Sequence, residues 1–209
     1  AASFAARSLS SSLTTGIKER VTGAPAGNIN WDDYNFPPCI KVLHFSLNDF
    51  TGSMRAVIKK MYVSWILLMT VLSLSVLSNI VLGATVLPGL IILFAFLNFI
   101  LIGSFGTFLF FWGYFGIAKG ESCKRLIYKI GMVLLCLLYL LFSIIPAGAF
   151  NGWVKIGMLA DKSSSAADFG IFMCVIESLI YTVNCGLGLY CVYLVQTEKY
   201  AEKDKPSTV

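Results

Sequence analysis

The 209 residues are 57% hydrophobic and only 13% charged, with a mean hydropathy of +0.78. A water-soluble domain of this length cannot keep so much apolar surface in solution, which excludes a soluble globular fold and makes a nucleic-acid partner unexpected. In hydrocarbon, spanning segments must pair all their backbone groups, so they are helices of roughly 20 apolar residues or a closed barrel. The apolar runs here are long and lack period-two alternation, which leaves helices. The expected fold is an all-α integral membrane protein: a four-transmembrane-helix bundle preceded by an interfacial amphipathic helix.

Residues 1–34 read as a disordered N-terminal segment. They are rich in Ala, Ser, Thr and Gly up to position 30, and no acid occurs before Glu19. That composition also suits an organelle-targeting remnant. Residues 35–60 read as a strap followed by the amphipathic helix. In Asn30-Trp-Asp-Asp-Tyr-Asn-Phe-Pro-Pro-Cys39 two prolines forbid a helix and push Phe36 towards an extended backbone, while Trp31, Tyr34 and Phe36 suit a membrane interface. From 47 to 61, Leu47, Phe50, Met54, Val57, Ile58 and Met61 form an apolar stripe beside Arg55, Lys59 and Lys60. This pattern predicts a short helix lying in the headgroup plane and running into the first span.

Residues 61–197 read as the transmembrane domain. Span one is Met61 to Gly83. Span two begins after Pro88-Gly89 and reaches about Ala118, long enough to tilt, with Trp112, Tyr114 and Phe115 marking its emergence. The loop Lys119-Gly-Glu-Ser-Cys-Lys-Arg125 reverses the chain into span three, Leu126 to about Pro146. A third loop, Ala149 to Asp168, leads to span four, Phe169 to about Val195, and residues 198–209 form a polar tail. Seven Lys and Arg precede span one, three lie in the second loop and three in the tail, against none in the first loop and two in the third. By the positive-inside rule both termini are expected on the cytoplasmic side or its organellar equivalent.

Groups that could do chemistry are few, so no catalysis is expected. Glu177 is the one ionisable residue deep in a span, and a carboxylate there must be neutral, paired or turned inward. Asn184, Asn79 and Asn98 are its candidate partners, in an interhelical hydrogen bond or, alternatively, in a proton or cation relay. Six cysteines without a CxxC, and a single histidine, His44, give no metal site, and no cofactor motif is present. Cys123, beside Lys124 and Arg125, is a candidate for acylation. Gly103, Gly106, Gly113, Gly116, Gly186 and Gly188 are small residues that let helices approach closely.

The order of these features resembles the secretory carrier membrane proteins. The resemblance rests on Asn35-Phe-Pro-Pro38, the basic amphipathic stretch, Met61-Tyr-Val-Ser-Trp65 opening span one, Asn79-Ile80 near its end, and Ala147-Gly-Ala-Phe-Asn-Gly-Trp153. It covers about Asn35 to Tyr200. Phe111-Trp-Gly-Tyr-Phe-Gly-Ile-Ala-Lys119 keeps the aromatics of that family's fusion-linked loop but lacks its Arg-Pro, and there are no Asn-Pro-Phe repeats. The resemblance implies a non-enzymatic protein of vesicle trafficking and membrane recycling, a scaffold for lipids and proteins in Golgi, endosomal and plasma membranes. Arg55, Lys59, Lys60, Lys119, Lys124 and Arg125 are then the expected contacts for anionic headgroups. Two other readings remain open. One is an accessory subunit of a larger mitochondrial or plastid membrane complex; the other is a small transporter or channel built on Glu177.

Overall fold

The computed structural model describes residues 29–36, 41, 43–50, 52–146 and 149–203, with side chains up to 197. The targeting-like start, Pro37, Pro38 and Cys39 of the strap, and the last residues of the tail lie outside that range. Among the described residues the elements are five helices: α1 Gly52–Thr85, α2 Leu90–Ala118, α3 Ser122–Ile144, α4 Trp153–Ala160 and α5 Ser165–Lys203. Four of them, α1, α2, α3 and α5, are long and apolar enough to cross a membrane.

The chain divides into two units, Ala1–Lys59 and Lys60–Val209. In the first, the chain before α1 doubles back on itself. Phe36 and Leu43 exchange both backbone hydrogen bonds, at 2.8 and 2.9 Å, and the Asn35 side-chain oxygen accepts from the Phe45 N–H at 2.9 Å. His44 clasps this turn. Its Nε2 meets Asp49 Oδ2 at 2.6 Å, its Nδ1 meets the Asp33 carbonyl at 2.9 Å, and Trp31 packs edge-on against its ring. Burial works against a charged imidazole here, but the Asp49 and Asp33 contacts outweigh it and raise the His44 pKa above its ordinary 6.5.

The helix expected from residue 47 begins instead at Gly52 and runs into the first span without a break to Thr85, because no Pro lies between them and the one interior glycine, Gly83, comes at the end. Residues 47–49 instead form a bend and turn.

In the second unit, each helix end has a local cause. Pro88 follows α1, and the Val86 and Leu87 N–H groups both fold back onto the Leu82 carbonyl at 2.8 Å. Lys119 caps α2 by donating to the Phe115 carbonyl, and Gly120 then takes the left-handed conformation, φ 69°, that closes a helix cheaply only with glycine. Ile145 is extended, as a residue before Pro146 should be. Ser164 caps α5, its Oγ accepting from the Ala167 N–H at 3.2 Å. That helix starts earlier and ends later than expected, so residues 198–203 of the tail are helical.

Buried positions centre on a seam. On α1 it runs through 61, 64, 68, 71, 75, 78 and 82, flanked by buried Leu72 and Asn79, and on α5 through 167, 170, 174, 177, 181, 184, 188, 191 and 195, flanked by buried Met173, Ser178 and Cys185. Alternating steps of three and four keep one stripe of each helix against its neighbours, as in left-handed bundles. Small residues set how close they come: a side chain at Gly106 would strike Leu68, and one at Gly188 would strike Cys136 and Met132. The first half of α2 is the least covered part, with Leu93, Ile100 and Leu101 at least half exposed. Lipid is the natural neighbour of such a face.

Candidate functional site

The seam of α1 is not apolar throughout. Ser75, Ser78 and Asn79 stand at i, i+3 and i+4, one face of a helix, and all are buried. α5 presents Glu177 and Ser178 to them. The third loop supplies the rest. Phe150 stacks on Phe142 of α3 at 3.6 Å and lies edge-on to Tyr181 of α5, which pins Asn151 inside the bundle. One turn further, on the unexpected helix α4, Lys155 points into the same space with 5% of its surface exposed.

These groups form one network. Glu177 Oε1 accepts from Ser78 Oγ at 2.8 Å and from Asn151 Nδ2 at 2.7 Å. Asn151 Oδ1 accepts from Lys155 Nζ, which also reaches Asn79 Oδ1 at 3.3 Å. Asn79 Nδ2 donates to the Ser75 carbonyl at 2.7 Å and to the Ala149 carbonyl, while Ser178 Oγ donates to the Asn151 carbonyl at 3.2 Å. A single amide, Asn151, therefore separates a buried acid from a buried amine. Burial lowers the Lys155 pKa, and the Glu177 carboxylate works in the opposite sense. Glu177 Oε2, though fully buried, accepts no hydrogen bond. Beyond Lys155 a cleft of about 190 Å³ opens, bounded by Leu87, Pro88 and Ile91 at the α1–α2 turn, Pro146 after α3, and Met158 of α4.

Of the intramembrane residues singled out from the sequence, the structure gathers two. Glu177 and Asn79 belong to the network, joined through Asn151 and Lys155 rather than directly. Asn184 lies elsewhere on α5, accepting from Ser64 Oγ at 2.7 Å, and Asn98 is half-buried on α2, outside the network. Sequence reasoning missed Ser75, Ser78, Asn151 and Lys155. The i, i+3, i+4 polar stripe in an otherwise apolar span was a legible signal for the first two. Nothing local shows that the loop folds inward.

The basic residues form a second feature. At the end of the Lys60–Val209 unit opposite the cleft, Lys60 lies over the Tyr190 ring at 5.7 Å, and Lys119 and Lys124 lie over Phe115 at 5.6 and 5.7 Å. Lys124 also pairs with Glu121 at 2.9 Å, and Lys129 donates to Gln196. Arg125 is buried at the α2–α3 turn, where its Nη2 donates to the Gly120 carbonyl at 3.3 Å, so it serves the turn more than the surface. In the first unit, Arg55 and Lys59 are exposed, and Arg55 donates to Asn48 Oδ1 at 3.2 Å. Cys123 is an exposed free thiol. Among the described residues no cluster of His, Cys, Asp and Glu has the makings of a metal site.

Four apolar helices, two of their connections short turns and the third a loop that carries α4, with charge gathered at the ends and buried polar groups paired inside, define a multi-pass integral membrane protein. The sequence model of the SCAMP family matches residues 33–202, most of the chain, and the chain belongs to that family. No curated protein and no solved structure matches it.

Proposed function

We propose that this SCAMP-family protein is a non-enzymatic scaffold of vesicle trafficking and membrane recycling, with its basic end on the cytoplasmic face. The observation that supports this reading is the gathering of Lys60, Lys119, Lys124 and Lys129 at one end of the bundle. Each cation there packs on an aromatic ring or pairs with a polar group, and a row of such cations at a membrane surface attracts anionic headgroups at about 1 kcal/mol each. The opposite end carries Asp161 and Asp168 beside its exposed Lys162.

Tagging the two termini separately, and locating the protein in cells, tests both parts. Both tags facing the cytoplasm on recycling or post-Golgi membranes is the expected result. Residence in an energy-converting organelle, in a large complex stable on a native gel, would overturn the trafficking reading in favour of an accessory subunit.

A further inference from the structure

We propose that Glu177 and Lys155 form a buried site for one exchangeable proton, reached by water through the cleft at the α4 end of the bundle. This is independent of the trafficking role and rests on three features of the geometry.

The first is the carboxylate itself. Glu177 is wholly buried and only Oε1 is engaged, by Ser78 and Asn151; Oε2 is left without a partner. A buried oxygen in that condition is costly unless something binds it. Because the Lys155 ammonium is one amide away, a metal cation at Oε2 would be repelled, whereas a proton would not bring a second ion into the site.

The second is that nothing else nearby competes for the proton. α1 faces Glu177 only with Ser75, Ser78 and Asn79, and the third loop with Asn151. Among the described residues charge comes only from Lys155 on α4, which attracts the carboxylate across Asn151. The remaining titratable neighbours are Cys174 and Tyr181 on α5 itself, with Tyr139 of α3 packed behind Tyr181. α2 has no acidic or basic residue.

The third is access from one side. Lys155 belongs to both the network and the cleft, so its stem separates the cleft from the buried acid. In the binding step a hydronium ion in the cleft gives up its proton: one of its O–H bonds breaks, leaving water, a new O–H bond forms at Oε2, and the carboxylate passes from −1 to neutral. Nothing is oxidised and no other reactant is consumed. Lys155 then loses its counter-charge, so α4, which it anchors, is freed to move outward. On release the O–H bond breaks, the proton returns to cleft water and Lys155 is drawn back.

The full chain in lipid nanodiscs provides the test, using infrared difference spectra of the protonated carboxyl band together with hydrogen exchange of α4. Between about pH 4.5 and pH 8 the wild type should show a carboxyl band that titrates and is absent from Glu177→Gln. Lys155→Met, which removes the attracting charge, should move the midpoint of that band up by at least about one pH unit. Exchange in α4, corrected for its intrinsic pH dependence, should rise in the wild type as the carboxyl protonates and stay flat in Glu177→Gln. A band that is constant over this range, one that survives in Glu177→Gln, or one with the same midpoint in Lys155→Met would overturn the proposal. If neither variant folds, the wild-type spectrum alone decides, since a buried acid that never titrates is structural.

Discussion

At the residue scale, Asn151 carries the most consequence for its size. Its amide faces Glu177 with the nitrogen and Lys155 with the oxygen, so it satisfies an acid and an amine that make no direct ion pair. Asn151→Leu has similar volume but leaves each ion short of a partner. Each lost hydrogen bond to a buried charged group costs about 1.5–3 kcal/mol, and a loss of at least that size is expected in the unfolding free energy measured by titration with a denaturing detergent. Ser78→Ala removes one of two donors to Oε1 and should cost only about 1–2 kcal/mol in the same measurement. His44 gives a residue-scale prediction outside the spans. Its pKa is raised in the folded turn, so its contribution to holding that turn is fully present below about pH 6.5 and is lost as pH rises through the raised value. Nuclear magnetic resonance titration should place the His44 midpoint above 6.5 and return it towards the ordinary value in Asp49→Asn. Exchange of the Leu43 and Phe45 amides should accelerate over the same interval.

At the scale of the elements, helix contacts are set by where side chains are missing. A methyl on Gly116 would meet the backbone nitrogen of Arg125 at 2.8 Å, and backbone at a tight turn cannot yield. Gly186, by contrast, has nothing within 4 Å of the same position. Gly116→Ala should therefore cost about 1–3 kcal/mol by forcing α2 from α3. Gly186→Ala should be neutral or slightly stabilising, because alanine favours helix by about 1 kcal/mol. Thermal unfolding of the two variants side by side checks this. The sequence showed both glycines as small residues in spans and could not tell them apart, since the difference lies entirely in what the neighbouring helix places opposite. Span boundaries were far more legible: Pro88, Gly120 and Pro146 mark helix ends by constraints that act within a few residues. α4 was missed for the opposite reason. Eight residues between two spans look like any loop until Phe150 is seen stacked on Phe142.

At the scale of the whole molecule, the antiparallel connections bring cations that are distant in sequence to one end of the bundle. Lys60 opens α1 of that unit, Lys119 and Lys124 flank the α2–α3 turn, and Lys129 meets Gln196 near the end of α5. With the chain reconstituted in neutral liposomes, capture of anionic liposomes should fall at least about tenfold in Lys60→Gln, Lys119→Gln, Lys124→Gln combined. It should also weaken with salt, as an attraction of about 1 kcal/mol per charge screened over about 10 Å requires. Lys124 contributes least, being paired already with Glu121. Unchanged capture would mean that these residues set topology alone.

The sequence by itself determined the solvent, the number of spans and those of their ends that proline or glycine marks, because apolar length, proline and glycine act locally on the chain. It also carried the family, through the order of weak motifs from Asn35 to Trp153. Only the tertiary structure decided which polar groups meet. The i, i+3, i+4 spacing of Ser75, Ser78 and Asn79 marks them as one face of α1, but what that face meets emerges only once α1 and α5 are in register. Glu177 and Lys155 are 22 residues apart and belong to different helices, and Ser78 is 99 residues from Glu177. Their juxtaposition is a property of packing, and the carboxyl that looked solitary along the chain proved to share its buried site with an amine.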